Sequence, residues 1–147
     1  MQKKTLFTIG FTKKNARRFF TILKDAGVQK IIDVRLNNVS QLAGFAKRDD
    51  LEFFLKKLCD CDYQHFPNLA PTKELLSGYK RKEFDWAEYE RRFTALLCQR
   101  QIEKLIDVEG LGNSCLLCSE VLADQCHRRL VAEYLVAKYP VVDILHL

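Results

Sequence analysis

Hydrophobic residues in this chain fall into two periods that alternate along its length. Residues 5–9, "TLFTI", form a short apolar run rich in β-formers and closed by Gly10, which predicts a buried strand. Ala16, Phe19, Phe20, Leu23 and Ala26 then recur at helical spacing, with basic residues on the opposite face and Gly27 as the stop. A second apolar run, "KIIDVR", predicts another strand, and the amide-, serine- and glycine-rich "NNVSQLAG" after it a loop. From Asp49 or Asp50 a helix places Leu51, Phe54, Leu55 and Leu58 on one side. "YQHF" follows as a third strand ended by Pro67.

Two prolines and a glycine in "PNLAPTKELLSGYKRKEFD" predict a loop with one short helix begun by Thr72 and Glu74. A longer helix carries Trp86, Tyr89, Phe93, Leu96 and Leu97, and the three aromatic residues are expected in the core. "EGLGN" reads as a turn, "SCLLCS" as a strand, "DQCHRRLVAEYLVAKY" as a helix and "VVDILHL" as a last strand. The order β-α-β-α-β-α-α-β-α-β predicts an α/β, Rossmann-like three-layer domain spanning residues 1–147, with a mostly parallel sheet of about five strands. Open parallel sheets bind ligands beyond the carboxyl ends of their strands, so the loops after Ile9, Val34 and Ser119 become the places to look.

Those loops hold the least explained polar residues. "CLLCSEVLADQCHRR", residues 115–129, gathers three of the six cysteines with a glutamate, a histidine and two arginines. On a strand Cys115 and Cys118 point to opposite faces, so their CxxC spelling does not make a metal clip. With Asp124 as N-cap, Cys126 and His127 fall in the first helical turn. A cysteine there beside arginine is in an environment that lowers a thiol pKa, although it can equally be a space-filling core residue. His127 reads as an acid/base, a ligand or a satisfied core histidine. Arg128 aims toward the sheet edge, whereas Arg129 points outward and can pair with Glu133. Glu120, at the end of an apolar strand, needs an arginine, a metal or water to be tolerated.

Asp33 and Arg35 share a face at the neighbouring strand end. Arg35 there suits a forked pair with Glu120, a phosphate contact or a structural salt bridge. Gly10 and Thr12, followed by Lys13 and Lys14, suit an anion. No GxGxxG or Walker sequence is present, which argues against a standard dinucleotide or P-loop site. Cys59, Cys61 and His65 lack a fourth metal ligand nearby.

Composition narrows the classes rather than choosing among them. A 48% hydrophobic, 29% charged chain of 147 residues with net charge +5 is an ordinary globular composition with a mild preference for anionic partners. No segment approaches the roughly 20 apolar residues of a membrane span. Two lysines precede an apolar run too short for a secretory signal, so the expected location is cytoplasmic and the cysteines are expected as thiols.

"TIGFT" at 8–12, "DVRLNNVSQLAGFAKRDDL" at 33–51, "LAPTKELL" at 69–76 and above all "CLLCSEVLADQCHRR" resemble the uncharacterised family DUF488. The resemblance spans nearly the whole chain. It implies a Rossmann-like α/β fold with polar positions at Asp33, Arg35, Cys118, Glu120, Cys126, His127 and Arg128. Two positions depart from the family's pattern: Phe11 stands where many members carry a polar residue, and Asn38 where many carry proline, while Ser40 remains.

The expected function is a hydrolase- or transferase-type enzyme, or a former one, acting on an anionic, nucleotide-like or nucleic-acid ligand at the sheet's carboxyl edge. Asp33, Glu120, Cys126 and His127 are the catalytic candidates; Gly10, Thr12, Arg35, Ser40 and Arg128 are the ligand-binding ones. Two alternatives stand beside it. One is a non-catalytic nucleic-acid-binding module using Lys80, Arg81 and Lys82. The other is a metal site formed by Cys118, Glu120, Cys126 and His127. Whether the protein is an enzyme, and with what cofactor, the residues leave open.

Overall fold

The computed structural model describes residues 4–38, 44–118, 126–140 and 142–147, without the side chain of Val108. Five strands, β1 (Lys4–Gly10), β2 (Lys30–Asp33), β3 (Asp62–His65), β4 (Ser114–Cys118) and β5 (Val142–His146), form one all-parallel sheet in the order β3-β2-β4-β1-β5. Five helices connect them: α1 (Ala16–Ala26), α2 (Arg48–Cys59), α3 (Lys73–Lys80), α4 (Trp86–Arg100) and α5 (His127–Lys138).

The sheet separates two cores because side chains alternate along each strand. On one face, Phe7, Ile9, Ile31, Cys115 and Leu117 pack against Phe19, Phe20 and Leu23 of α1 and Leu51 and Leu55 of α2. On the other, Leu6, Ile32, Leu116 and Cys118 pack against α3, α4 and α5 through Leu75, Tyr89, Phe93, Leu97, Val131 and Leu135. Cys115 and Cys118 thus lie in different layers, as strand alternation requires. Trp86 is half-buried and stacks on Tyr89 with ring centroids 4.7 Å apart, while Tyr89 and Phe93 are fully inside.

Helix starts follow local chemistry. Asn15, Thr72 and Asp85 each accept a hydrogen bond from the backbone N–H three residues on, at 2.8, 3.1 and 2.9 Å. Gly27 closes α1 in the left-handed region at φ 75°, where a side chain would be strained.

The strand order is what builds a site. β4 lies between β1 and β2, and their loops lead to α1 and α2 on one face, whereas α5 after β4 lies on the other. Chain paths that part in this way make the carboxyl end of β4 the topological switch point of the sheet.

Candidate active site at the carboxyl edge of the sheet

On the α1–α2 side, β2 ends in a closed ion pair. Asp33 is fully buried and Arg35 is 4% exposed. Arg35 grips the Asp33 carboxylate with both arms of its fork, Nε to Oδ1 at 2.9 Å and Nη2 to Oδ2 at 2.8 Å, while its backbone N–H donates to Oδ1 at 3.1 Å. The Tyr63 hydroxyl donates to Oδ2 at 2.6 Å, and Asn38 Nδ2 contacts the same oxygen at 3.4 Å and the Tyr63 hydroxyl at 3.2 Å. Burial by itself raises the Asp33 pKa, but these donors outweigh it and hold the carboxyl below its usual range. Asp33 is therefore an anion with its acceptor positions occupied, and it orients Arg35.

Arg35 has one arm left over. Its Nη1 is buried and has no hydrogen-bond partner among the described residues. The guanidinium lies 5.4 Å from the centre of the Phe11 ring, and His65 Nε2 donates to the Arg35 carbonyl at 2.9 Å. An N–H of a buried cation without an acceptor costs about 1–3 kcal/mol or more, and such atoms in native proteins are commonly satisfied by water or a ligand.

On the opposite face, β4 and α5 assemble the second half. The helix begins one residue after Cys126, whose extended backbone (φ −138°, ψ 139°) makes it the N-cap. This corrects the expectation that Cys126 lies within the first turn; Asp124, the expected cap, falls outside the described residues. Cys126 is bonded to Cys118 in a disulfide, with Cα atoms 7.5 Å apart. The expectation of six thiols is corrected for this pair, because the strand end and the helix start bring their sulfurs together. In this state Cys126 is not a nucleophilic thiolate.

His127 Nε2 lies 2.6 Å from the Val34 carbonyl. A carbonyl only accepts, so Nε2 carries the proton and Nδ1 keeps its lone pair. Burial lowers the ring's pKa to about 4 and Arg128 adds to the effect, outweighing Val34 and Asp33, so the imidazole is neutral near pH 7. Its edge meets Phe93, with ring centroids 5.8 Å apart. His127 is half-buried, and its neighbours Cys126 and Arg128 are buried.

Arg128 runs inward beneath β1 and β4. Its Nε donates to Thr8 Oγ1 at 3.3 Å and its Nη1 to Cys118 Sγ at 3.2 Å, and Thr8 Oγ1 shares a 2.5 Å hydrogen bond with His146 Nδ1. Lys14 folds back onto the Gly10 carbonyl at 2.7 Å, and burial, with Arg128 and Arg18 nearby, lowers its pKa. Gly10 is buried at the end of β1. Thr12 is exposed and does not start the helix, since Asn15 caps it three residues later. Arg129 pairs with Glu133 as expected, at 2.8 Å, and also with Glu90.

Asp33, Arg35, Cys126, His127 and Arg128 thus gather around the ends of β2 and β4, divided by the sheet into two halves that meet at Val34. Glu120 and Ser40 lie outside the described residues, so the fork of Arg35 is shown only toward Asp33. Tyr63, His65, Asn38 and Thr8 join the site without having been singled out for it. Tyr63 and His65 lie on the strand predicted from "YQHF"; their register against Ile31 and Asp33 is what the sequence does not carry.

The other sequence candidates separate from this edge. A depression of about 730 Å³ between α3 and α4 is lined by Lys73, Arg81, Phe84, Arg91, Arg92 and Leu96, among others. Its cations are largely compensated: Arg81 pairs with Glu83, and Arg91 and Arg92 pair with Glu88. Cys59 and Cys61 bond to backbone carbonyls, and they form no metal-ligating group with His65 among the described residues.

Strand-end polar residues on an all-parallel, helix-covered sheet define a Rossmann-like α/β protein with its candidate site at the sheet's carboxyl edge. Residues 15–135 match the family described as Domain of unknown function DUF488, and the chain belongs to that family. No curated protein and no solved structure matches it. No helix among the described residues is long and apolar enough to cross a membrane.

Proposed function

We propose that this protein binds a small anionic, nucleotide-like ligand at the carboxyl edge of its sheet, as the binding step of a hydrolase- or transferase-type enzyme. The observation that carries the reading is Arg35 Nη1, a buried guanidinium donor without an acceptor among the described residues. Asp33 neutralises the guanidinium and fixes its plane, which leaves one arm pre-aimed at a phosphate or carboxylate oxygen. Lys14, at the end of β1, and Arg128, beneath β1 and β4, add positive potential there. A cytoplasmic location belongs to the same reading: Cys59, Cys61, Cys98 and Cys115 are thiols, which suits a reducing compartment, and the Cys118–Cys126 disulfide would there be a reducible pair.

The test is thermal unfolding in inorganic phosphate, with sodium chloride controls of matched ionic strength. Ligand at about a hundred times Kd stabilises by about 2.7 kcal/mol, so phosphate should raise the wild-type Tm by several degrees beyond the control. Arg35→Lys keeps a cation against Asp33 but lacks the free arm, and should lose that increment. An equal shift in both proteins, or none in the wild type, would defeat the proposal.

A further inference from the structure

Cys118, Cys126 and His127 each offer a ligand atom, and these atoms lie within 4.8 Å of one another, the one such group among the described residues. None of the three contributes to the anion seat around Arg35. We propose that, once the disulfide is reduced, the two thiolates and His127 Nδ1 bind a thiophilic divalent ion of the zinc class, supplying three of its ligands.

Donor chemistry selects the metal. Two sulfurs and an imidazole suit zinc-type ions, whereas magnesium and calcium require oxygen. His127 is already set as metal-bound imidazoles usually are, with one nitrogen donating to a backbone carbonyl and the other presenting its lone pair. Cα atoms 7.5 Å apart exceed the span of roughly 4.4–6.8 Å usual for a disulfide. That spacing suits two sulfurs each about 2.3 Å from a shared ion. Arg128 Nη1, 3.2 Å from Cys118 Sγ, donates to that sulfur and favours its thiolate form.

Redox state gates the site. A small-molecule thiol, RSH, supplies the electrons: Cys118–S–S–Cys126 plus two RSH gives the two cysteine thiols and RSSR. Binding of the dication then releases the two thiol protons to water. The oxidised protein has no thiolates to offer.

The experiment uses full-length, untagged protein reduced with a phosphine and titrated anaerobically with cobalt(II) as a spectroscopic stand-in for zinc. One equivalent should produce sulfur-to-cobalt charge-transfer absorption and tetrahedral d–d bands, both lost on adding zinc. Zinc should also protect Cys118 and Cys126, but not exposed Cys98, from alkylation mapped by mass spectrometry; this readout needs no variant. Cys118→Ser, Cys126→Ser and His127→Gln should each weaken binding by more than about a hundredfold, and Cys98→Ser should leave it unchanged. Three results would overturn the site: no stoichiometric ion on the reduced protein, an ion that leaves both cysteines open to alkylation, or equal binding by oxidised protein. Phosphate stabilisation through Arg35 is read separately, so either proposal can fail alone.

Discussion

At the scale of single residues, Asp33 and Arg35 dominate. Removing one partner of a buried ion pair strands the other, at a cost of about 3–5 kcal/mol. Asp33→Ala should lower unfolding free energy by that amount in urea titrations. Tyr63→Phe removes one hydrogen bond to the carboxylate and should cost about 1.5–3 kcal/mol. The cysteines sort equally sharply. Burial pushes the Cys61 thiol up to about 12 and the Cys115 thiol up as well, so alkylation of the native, unreduced protein near pH 8 should reach exposed Cys98 first. Cys61 and Cys115 should react only on unfolding, and Cys118 and Cys126 only after reduction; peptide mapping at each stage checks the order. That Asp33 and Arg35 share a face was readable from the sequence, since residues two apart on a strand do. Their pairing was not, because Glu120 offered a plausible partner for Arg35 and spacing does not rank partners.

At the scale of elements, three helices begin at side chains that were readable in advance or nearly so. Thr72 was identified as a cap from its spacing to Glu74, and Asp85 and Asn15 do the same work for α4 and α1. Each cap-to-Ala change should cost about 1 kcal/mol. The sites are on separate helices, so Asn15→Ala with Asp85→Ala should be additive within a few tenths of a kcal/mol, which chemical denaturation resolves. α5 shows where such reading stops. Its polar prefix offered Asp124 as a cap, yet the helix starts at His127 behind Cys126. Contact of Cys126 with β4 and of His127 with Val34 sets that boundary, and neither is encoded in the local period.

For the molecule as a whole, pH dependence follows from the same buried pair. The folded-state pKa of Asp33 lies below its unfolded value of about 3.9. Its contribution to stability is therefore fully present well above that value and is lost as pH falls through the folded pKa. Urea midpoints measured downward from pH 5 should fall below about pH 4, and the fall should be shallower in Asp33→Asn.

By itself the sequence determined the alternation of strands and helices, the face each residue takes along the strands, and the segregation of unexplained polar residues to strand ends. Those properties follow from the 2.0 and 3.6 periods, which act over a few residues. Tertiary structure alone decided that β4 enters between β1 and β2, that Arg128 reaches Thr8, and that Cys118 and Cys126 meet beside His127 while Arg35 keeps one arm unpaired among the described residues. Strand order and side-chain pairing depend on which distant surfaces exclude water together, and no local period records that. "CLLCSEVLADQCHRR" contains the sulfurs and the imidazole; only the parallel pairing of β4 alongside β2 brings the imidazole to Val34.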